Sequence, residues 1–159
     1  MGILGANFDC AQISYSRYLC CRESFETHGL TLDESWTEAC RYSMAEGYAA
    51  AGRILDRTEG LTALFALSDV MAIGAIRCLR DRGLRVPEDI SVVGFDGVAL
   101  GDYCVPRLTT VRQDTRSLVH RAAEILLSRL TEPMPPVYET IPFTLIPGES
   151  AGPSPISSM

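Results

Sequence analysis

The sequence predicts an α/β fold, an open parallel sheet flanked by helices. Three observations carry this reading. Leu61–Leu67 and Ile90–Phe95 are near-continuous apolar runs, as strands are when helices cover both faces of a parallel sheet. Between them lies a helical stretch opened by Asp69, stopped by Gly83 and kept from resuming by Pro87. Each apolar run also ends in polar residues, Ser68-Asp69 in one case and Asp96 in the other. Parallel sheets place their ligand crevice at the carboxyl ends of the strands. Ser68, Asp69 and Asp96 are therefore expected side by side on one rim.

The remaining elements follow in order. Residues 2–5 read as a short strand. Residues 15–27 read as a helix ended at His28-Gly29, where glycine takes the left-handed cap. Ser43-Met-Ala-Glu46 is a capping box that starts a helix through about Arg57. The Asp69 side chain is expected to cap the next helix, which runs to about Arg82. Residues 97–107 read as a loop, and Leu108–Arg112 as a short strand. Asp114 or Thr115 caps a helix to Leu130, with Leu118, Ala122, Ile125, Leu126 and Leu130 on one apolar face. Pro133, Pro135 and Pro136 form a stiff connector. Val137–Ile146 reads as a last strand, and Pro142 within it argues for an edge position. Gly148 to Met159, rich in Pro and Ser, is expected to be a frayed tail.

Composition narrows the function classes. A chain of 159 residues suits one domain. Its net charge is −6, from 14 basic and 20 acidic residues, with no basic cluster of the kind that grips a phosphate backbone. Arg77, Arg80, Arg82 and Arg85 are the densest run, and Asp81, Glu88 and Asp89 lie among them, as on a solvated helix face. No stretch is long and apolar enough to span a bilayer, and the N-terminus lacks the pattern of a signal peptide. A cytoplasmic location is expected. Cys10, Cys20, Cys21, Cys40, Cys78 and Cys104 form no C-x-x-C pair, and His28 and His120 lie far from any such pair. Reduced thiols, no metal and no cofactor are expected. An enzyme using Cys104 or Cys10 with His120 would need a nucleophile motif that the sequence lacks, so no catalysis is expected.

Three longer words carry a resemblance. They are Ala63-Leu-Phe-Ala-Leu-Ser-Asp-Val-Met-Ala-Ile-Gly-Ala75, Gly83-Leu-Arg-Val-Pro-Glu-Asp-Ile-Ser-Val-Val-Gly-Phe-Asp96 and Pro106-Arg-Leu-Thr-Thr-Val-Arg-Gln113. Together they resemble the effector-binding domain of LacI/GalR-type transcriptional regulators, which has the type I periplasmic-binding-protein fold. Weaker similarity extends over Arg17 to Leu30, over Arg41 to Tyr48 and over Ile141–Ala151, nearly the whole chain. Family members join a helix-turn-helix headpiece to a two-lobed core that clamps a sugar, nucleoside or related metabolite. The resemblance implies a partial effector-binding domain over residues 1–150: one lobe, plus a segment at 108–131 that returns to the other lobe. Residues 151–159 would be a tail. The headpiece and most of the other lobe would lie outside this chain, so that Met1 falls inside the family's core. A truncated product, a fragment or a mis-assigned start would each explain that. The ligand-sensing module of a transcriptional regulator is the function implied; the solute-binding component of a sugar transporter is the alternative.

The resemblance also implies site residues. Asp96 matches an aspartate that accepts hydrogen bonds from the ligand, its other reading being a loop cap. Arg17 matches the arginine of an Arg-x-x-Gly-aromatic word, although Cys20 and Cys21 stand where the glycine and the aromatic belong. Tyr42 matches an aromatic that packs on the ligand ring; a core tyrosine is the other reading. Ser68 stands where the family usually has an asparagine, and Gln113 at the lobe crossing is a polar contact. A homodimer is implied through the helix 70–82 and the loop 97–106, with Ile73, Arg77 and Tyr103 as its test residues. DNA would be bound only through the absent headpiece, and no membrane partner is expected.

Overall fold

A computed structural model describes residues 1–5 and 13–153. The elements are β1 (Gly2–Leu4), α1 (Ile13–Thr27), β2 (Thr37–Glu38), α2 (Met44–Arg57), β3 (Ala63–Ala66), α3 (Asp69–Asp81), β4 (Ser91–Asp96), β5 (Thr109–Gln113), α4 (Thr115–Thr131) and β6 (Phe143–Ile146). They form a single six-stranded sheet in the order β2-β1-β3-β4-β5-β6. Every pairing is parallel except that of β5 with β6. The α/β class and the edge position of the last strand hold, but the sheet is mixed. The last strand is also short. It starts at Phe143, directly after Pro142, because a proline has no N–H to give the ladder.

Helices α2 and α3 pack on each other and on the sheet. Their buried residues, among them Ala50, Ile54, Met71 and Leu79, meet Ile3, Leu4, Leu64 and Val92 of the strands. Ser43 caps α2 as its sequence required, its Oγ accepting from the Glu46 amide at 3.2 Å. Asp114, not Thr115, caps α4 and accepts from the Ser117 amide at 3.0 Å. At α3 the expected cap is corrected. Ser68 holds the N-cap position and Asp69 is the first helical residue; the Asp69 carboxylate is turned away to other donors.

Strand β2 has only two residues, too few for any periodicity to show. Its place at the sheet edge is secured by side chains. Arg53 and Arg57 of α2 both bind the Glu38 carboxylate at 2.5 Å, and Arg57 also donates to the Thr37 carbonyl at 2.8 Å. Burial acts to raise the Glu38 pKa, but the two guanidinium groups outweigh it and hold the carboxyl below its ordinary range.

The frayed tail expected from Gly148 onward is corrected over residues 148–152. Strand β5 begins at Thr109, opposite Val93, so Val92 has no β5 neighbour. Ser150 takes that neighbour's place. Val92 N donates to the Ser150 carbonyl at 2.6 Å, and Ser150 Oγ donates to the Val92 carbonyl at 2.6 Å. The same hydroxyl accepts from the Thr109 amide at 2.8 Å, and Ser150 is fully buried. Backbone groups of a sheet end must find partners somewhere, and here a polar segment supplies them. Residues 154–159 lie outside the described residues.

Helix α4 has the expected apolar side chains but no buried residue. Leu126 is 63% exposed and Leu130 75%. No helix among the described residues is long and apolar enough to cross a membrane.

Substituting Ser150→Ala should destabilise the fold by about 1–3 kcal/mol, because the Thr109 amide and the Val92 carbonyl would be left buried and unpaired. A urea melt checks this, with a fall in midpoint and an unchanged slope as the expected result.

Candidate functional site

Parallel pairing of β1, β3 and β4 brings their carboxyl ends to one rim, with Leu4 opposite Ala66 and Asp96 opposite Arg112. Helix α1 delivers Arg17 to that rim. The guanidinium donates to the Leu67 carbonyl at 2.6 Å, just past β3, and to Asp96 Oδ1 at 3.2 Å, at the end of β4. Its Cζ lies over the Phe95 ring, 3.9 Å from the centroid, where the ring's negative face attracts a cation. Gln113, the last residue of β5, donates from Nε2 to the same Asp96 oxygen at 3.0 Å.

Three of the sequence-predicted residues, Arg17, Asp96 and Gln113, thus form one hydrogen-bonded cluster drawn from α1, β4 and β5. The Arg17 side chain is 16% exposed and that of Asp96 30%, so the cluster is half-buried and open at its outer side. Its charges are opposed. It can offer further guanidinium and amide N–H groups and carboxylate lone pairs without presenting a net charge.

The other predicted residues are placed differently. Ser68 lies on the rim beside Leu67 as the N-cap residue of α3, and it is only 3% exposed. Tyr42 stands two residues ahead of α2, about half exposed, outside the cluster's hydrogen bonds. Ile73 packs partly against the core. Arg77, one turn further on, is paired with Asp81 at 3.0 Å. Tyr103 is 83% exposed beyond the single-turn helix 99–102.

Two features were not foreseen. The first is Phe95, whose ring is the floor beneath Arg17. Its position before Asp96 in Gly-Phe-Asp was the available signal, but an apolar strand residue reads as core. The second is a cavity of about 460 Å³ next to Gln113, walled by Phe95, Val111, Leu118, Ile141 and Phe143. It forms where α4 and the segment before β6 leave the sheet, an arrangement that periodicity does not reveal.

The backbone of Asp96 is unusual. Its φ is +117°, a region that non-glycine residues rarely enter. Gly97 follows with φ +74°, and a Cβ there would overlap Arg112 at its Cβ, Cγ and Cα. Backbone strain of this kind costs about 1–3 kcal/mol and persists only when its surroundings impose it.

Burial raises the pKa of the Cys21, Cys40, Cys78 and Cys104 thiols, the opposite of an activated nucleophile. Cys104 donates to the Gly101 and Pro106 carbonyls, and burial raises its pKa. His120 pairs with Glu124 at 3.2 Å along α4. Cys10 lies outside the described residues. Burial pushes the Cys21 and Cys40 thiols up to about 11. Among the described residues, no group of three or more His, Cys, Asp or Glu side chains is placed to hold a metal.

Residues 1–151 match the periplasmic binding protein-like domain family. The chain belongs to that family, as an effector-binding domain of the LacI regulator type. It is 40% identical over 116 residues to the HTH-type transcriptional repressor PurR of Haemophilus influenzae (strain PittEE), which covers 73% of this chain and 34% of that protein. The structure of the transcriptional regulator CelR in complex with cellobiose superposes with a TM-score of 0.88, 32% identity and coverage of 94% of this chain and 46% of that one. A LacI family transcriptional regulator from Enterococcus faecium with bound ribose gives a TM-score of 0.83 at 25% identity, covering 96% and 56%. The chain therefore spans about a third of the length of the PurR relative.

The raised thiol pKa values set a reactivity order. At pH 8, iodoacetamide should label Cys21 and Cys40 roughly a hundredfold more slowly than an unperturbed thiol, by thiolate fraction alone. Peptide mapping by mass spectrometry over a time course reads this directly.

Proposed function

We propose that this chain is the ligand-sensing part of a LacI-type regulator, binding a sugar or related small metabolite to modulate DNA binding by the intact protein. The observation that carries the reading is the Arg17–Asp96–Gln113 cluster on the carboxyl rim of the sheet. Paired donors and acceptors, uncharged as a set, suit vicinal hydroxyls or ring N–H groups better than an anion. The Phe95 face and the adjoining cavity supply apolar surface for a ring's C–H side. Two of the similar solved structures carry cellobiose and ribose. Tyr42 and Ser68 complete the proposed contact set, Tyr42 from the α2 entrance and Ser68 from the α3 cap.

In this reading α4 is the segment that returns to a second lobe. Its uncovered Leu118, Leu126 and Leu130 support that role, as does the greater length of the relatives. DNA would be reached through a part of the regulator beyond this chain. A homodimer would form through α3 and the loop 97–106, with Ile73, Arg77 and Tyr103 at the contact. The solute-binding alternative is not favoured, since the curated relatives are regulators.

The test is calorimetric titration with ribose, glucose, cellobiose and adenosine. At least one should bind, and Asp96→Asn should weaken it roughly ten- to hundredfold, the effect of losing a charge-assisted hydrogen bond. Binding that is indifferent to Asp96→Asn, or no binding by any of the four, would sink the proposal.

A further inference from the structure

The Asp69 carboxylate is fully buried, yet the described ion pairs give it no cationic partner. It accepts from Thr110 Oγ1 of β5 at 2.5 Å and from the Val98 amide at 2.7 Å. Room for it is made by β4. A Cβ on Gly94 would overlap Asp69 Oδ1, so the strand carries glycine where the carboxylate passes. Burying a carboxylate is costly unless its lone pairs are met, and here they are met by a neighbouring strand and by the segment that follows β4.

That segment continues directly from Asp96, the last residue of β4. Residues 96 and 97 both have positive φ, and Val98 is the next residue along. The chain is thus clamped on both sides of the strain. Before it, β4 is locked in register with β5; after it, the Val98 amide is tied to Asp69. On the far side, Arg17 and Gln113 fix the Asp96 side chain.

We infer that Asp69 is a positioning residue: its bond to the Val98 amide holds the strained Asp96 backbone so that the Asp96 carboxylate meets Arg17 and Gln113. The purpose of that placement rests on the ligand-site reading above. The readouts below involve no ligand, so the two can fail separately.

The experiment is amide exchange and NMR on the full chain. In Asp69→Asn, Val98 amide exchange should rise roughly tenfold, as expected for loss of a hydrogen bond to a charged group. The Asp96 HN–Hα coupling should move toward the value of an extended strand. The deciding arm is a double-mutant cycle with Asp96→Gly, because glycine carries no penalty at φ +117°. If Asp69 works by imposing the strained backbone, Asp69→Asn should lower the urea midpoint by a different amount in the Asp96→Gly background, where there is no strain to release and no carboxylate to misplace. An equal loss in both backgrounds, or unchanged Val98 exchange, would overturn the inference and leave Asp69 a packing group. Should Asp69→Asn fail to fold, Thr110→Val withdraws one donor without changing the side chain's shape. The same exchange, coupling and cycle measurements then decide on that variant.

Discussion

The buried Asp69 carboxylate meets three elements at one point: the first turn of α3, to which it belongs, the Thr110 hydroxyl of β5 and the amide just beyond β4. The geometry of the rim depends on that junction. A parallel sheet brings strand ends together, but it does not say which way each chain leaves its strand. At β4 the exit runs through two positive-φ residues in succession. Without a fixed anchor past those residues, Asp96 would relax to an ordinary extended conformation, and its carboxylate would leave Arg17 and Gln113. Gly94 belongs to the same constraint, since the carboxylate occupies the volume its side chain would fill.

The central part of this architecture was legible because its forces are local. β3, α3, β4 and β5 follow from apolar runs, a glycine stop and polar ends, and parallel burial makes those runs unbroken. The caps at Ser43 and Asp114 were legible for the same reason, each being satisfied within three residues. Features set by distant partners were not. The pairing of β2 is held by two arginines some fifteen to nineteen residues away. Ser150 looks like linker by composition, and it is ordered only because Val92 lacks a neighbour fifty-eight residues earlier. Asp69 fits a helix cap by its sequence position, but its partners lie twenty-nine and forty-one residues downstream. In the site, Asp96 showed itself as a strand end, whereas Arg17 is not identifiable from its helix alone. Only the family resemblance marked it, despite the cysteines at 20 and 21.

The cluster's own bonds bear on how a ligand could be held. Arg17 and Gln113 already donate to Asp96, and Arg17 also to Leu67. A hydroxyl entering here replaces one hydrogen bond with another, and such exchanges contribute little net energy. They decide orientation and reject molecules that cannot match the donor and acceptor pattern. The energy must come chiefly from apolar contact, and the available faces are the Phe95 ring and the walls of the neighbouring cavity. One of those walls is Leu118 of α4, whose leucines are otherwise uncovered. On the proposed reading, a second lobe closing over α4 would do two things at once. It would bury those leucines, and it would exclude water from the cluster, where every charge-assisted bond then counts for more. Selectivity and a measurable affinity would belong to this half of the clamp, and closure would add to them, which is how a ligand can favour one arrangement of the intact regulator over another.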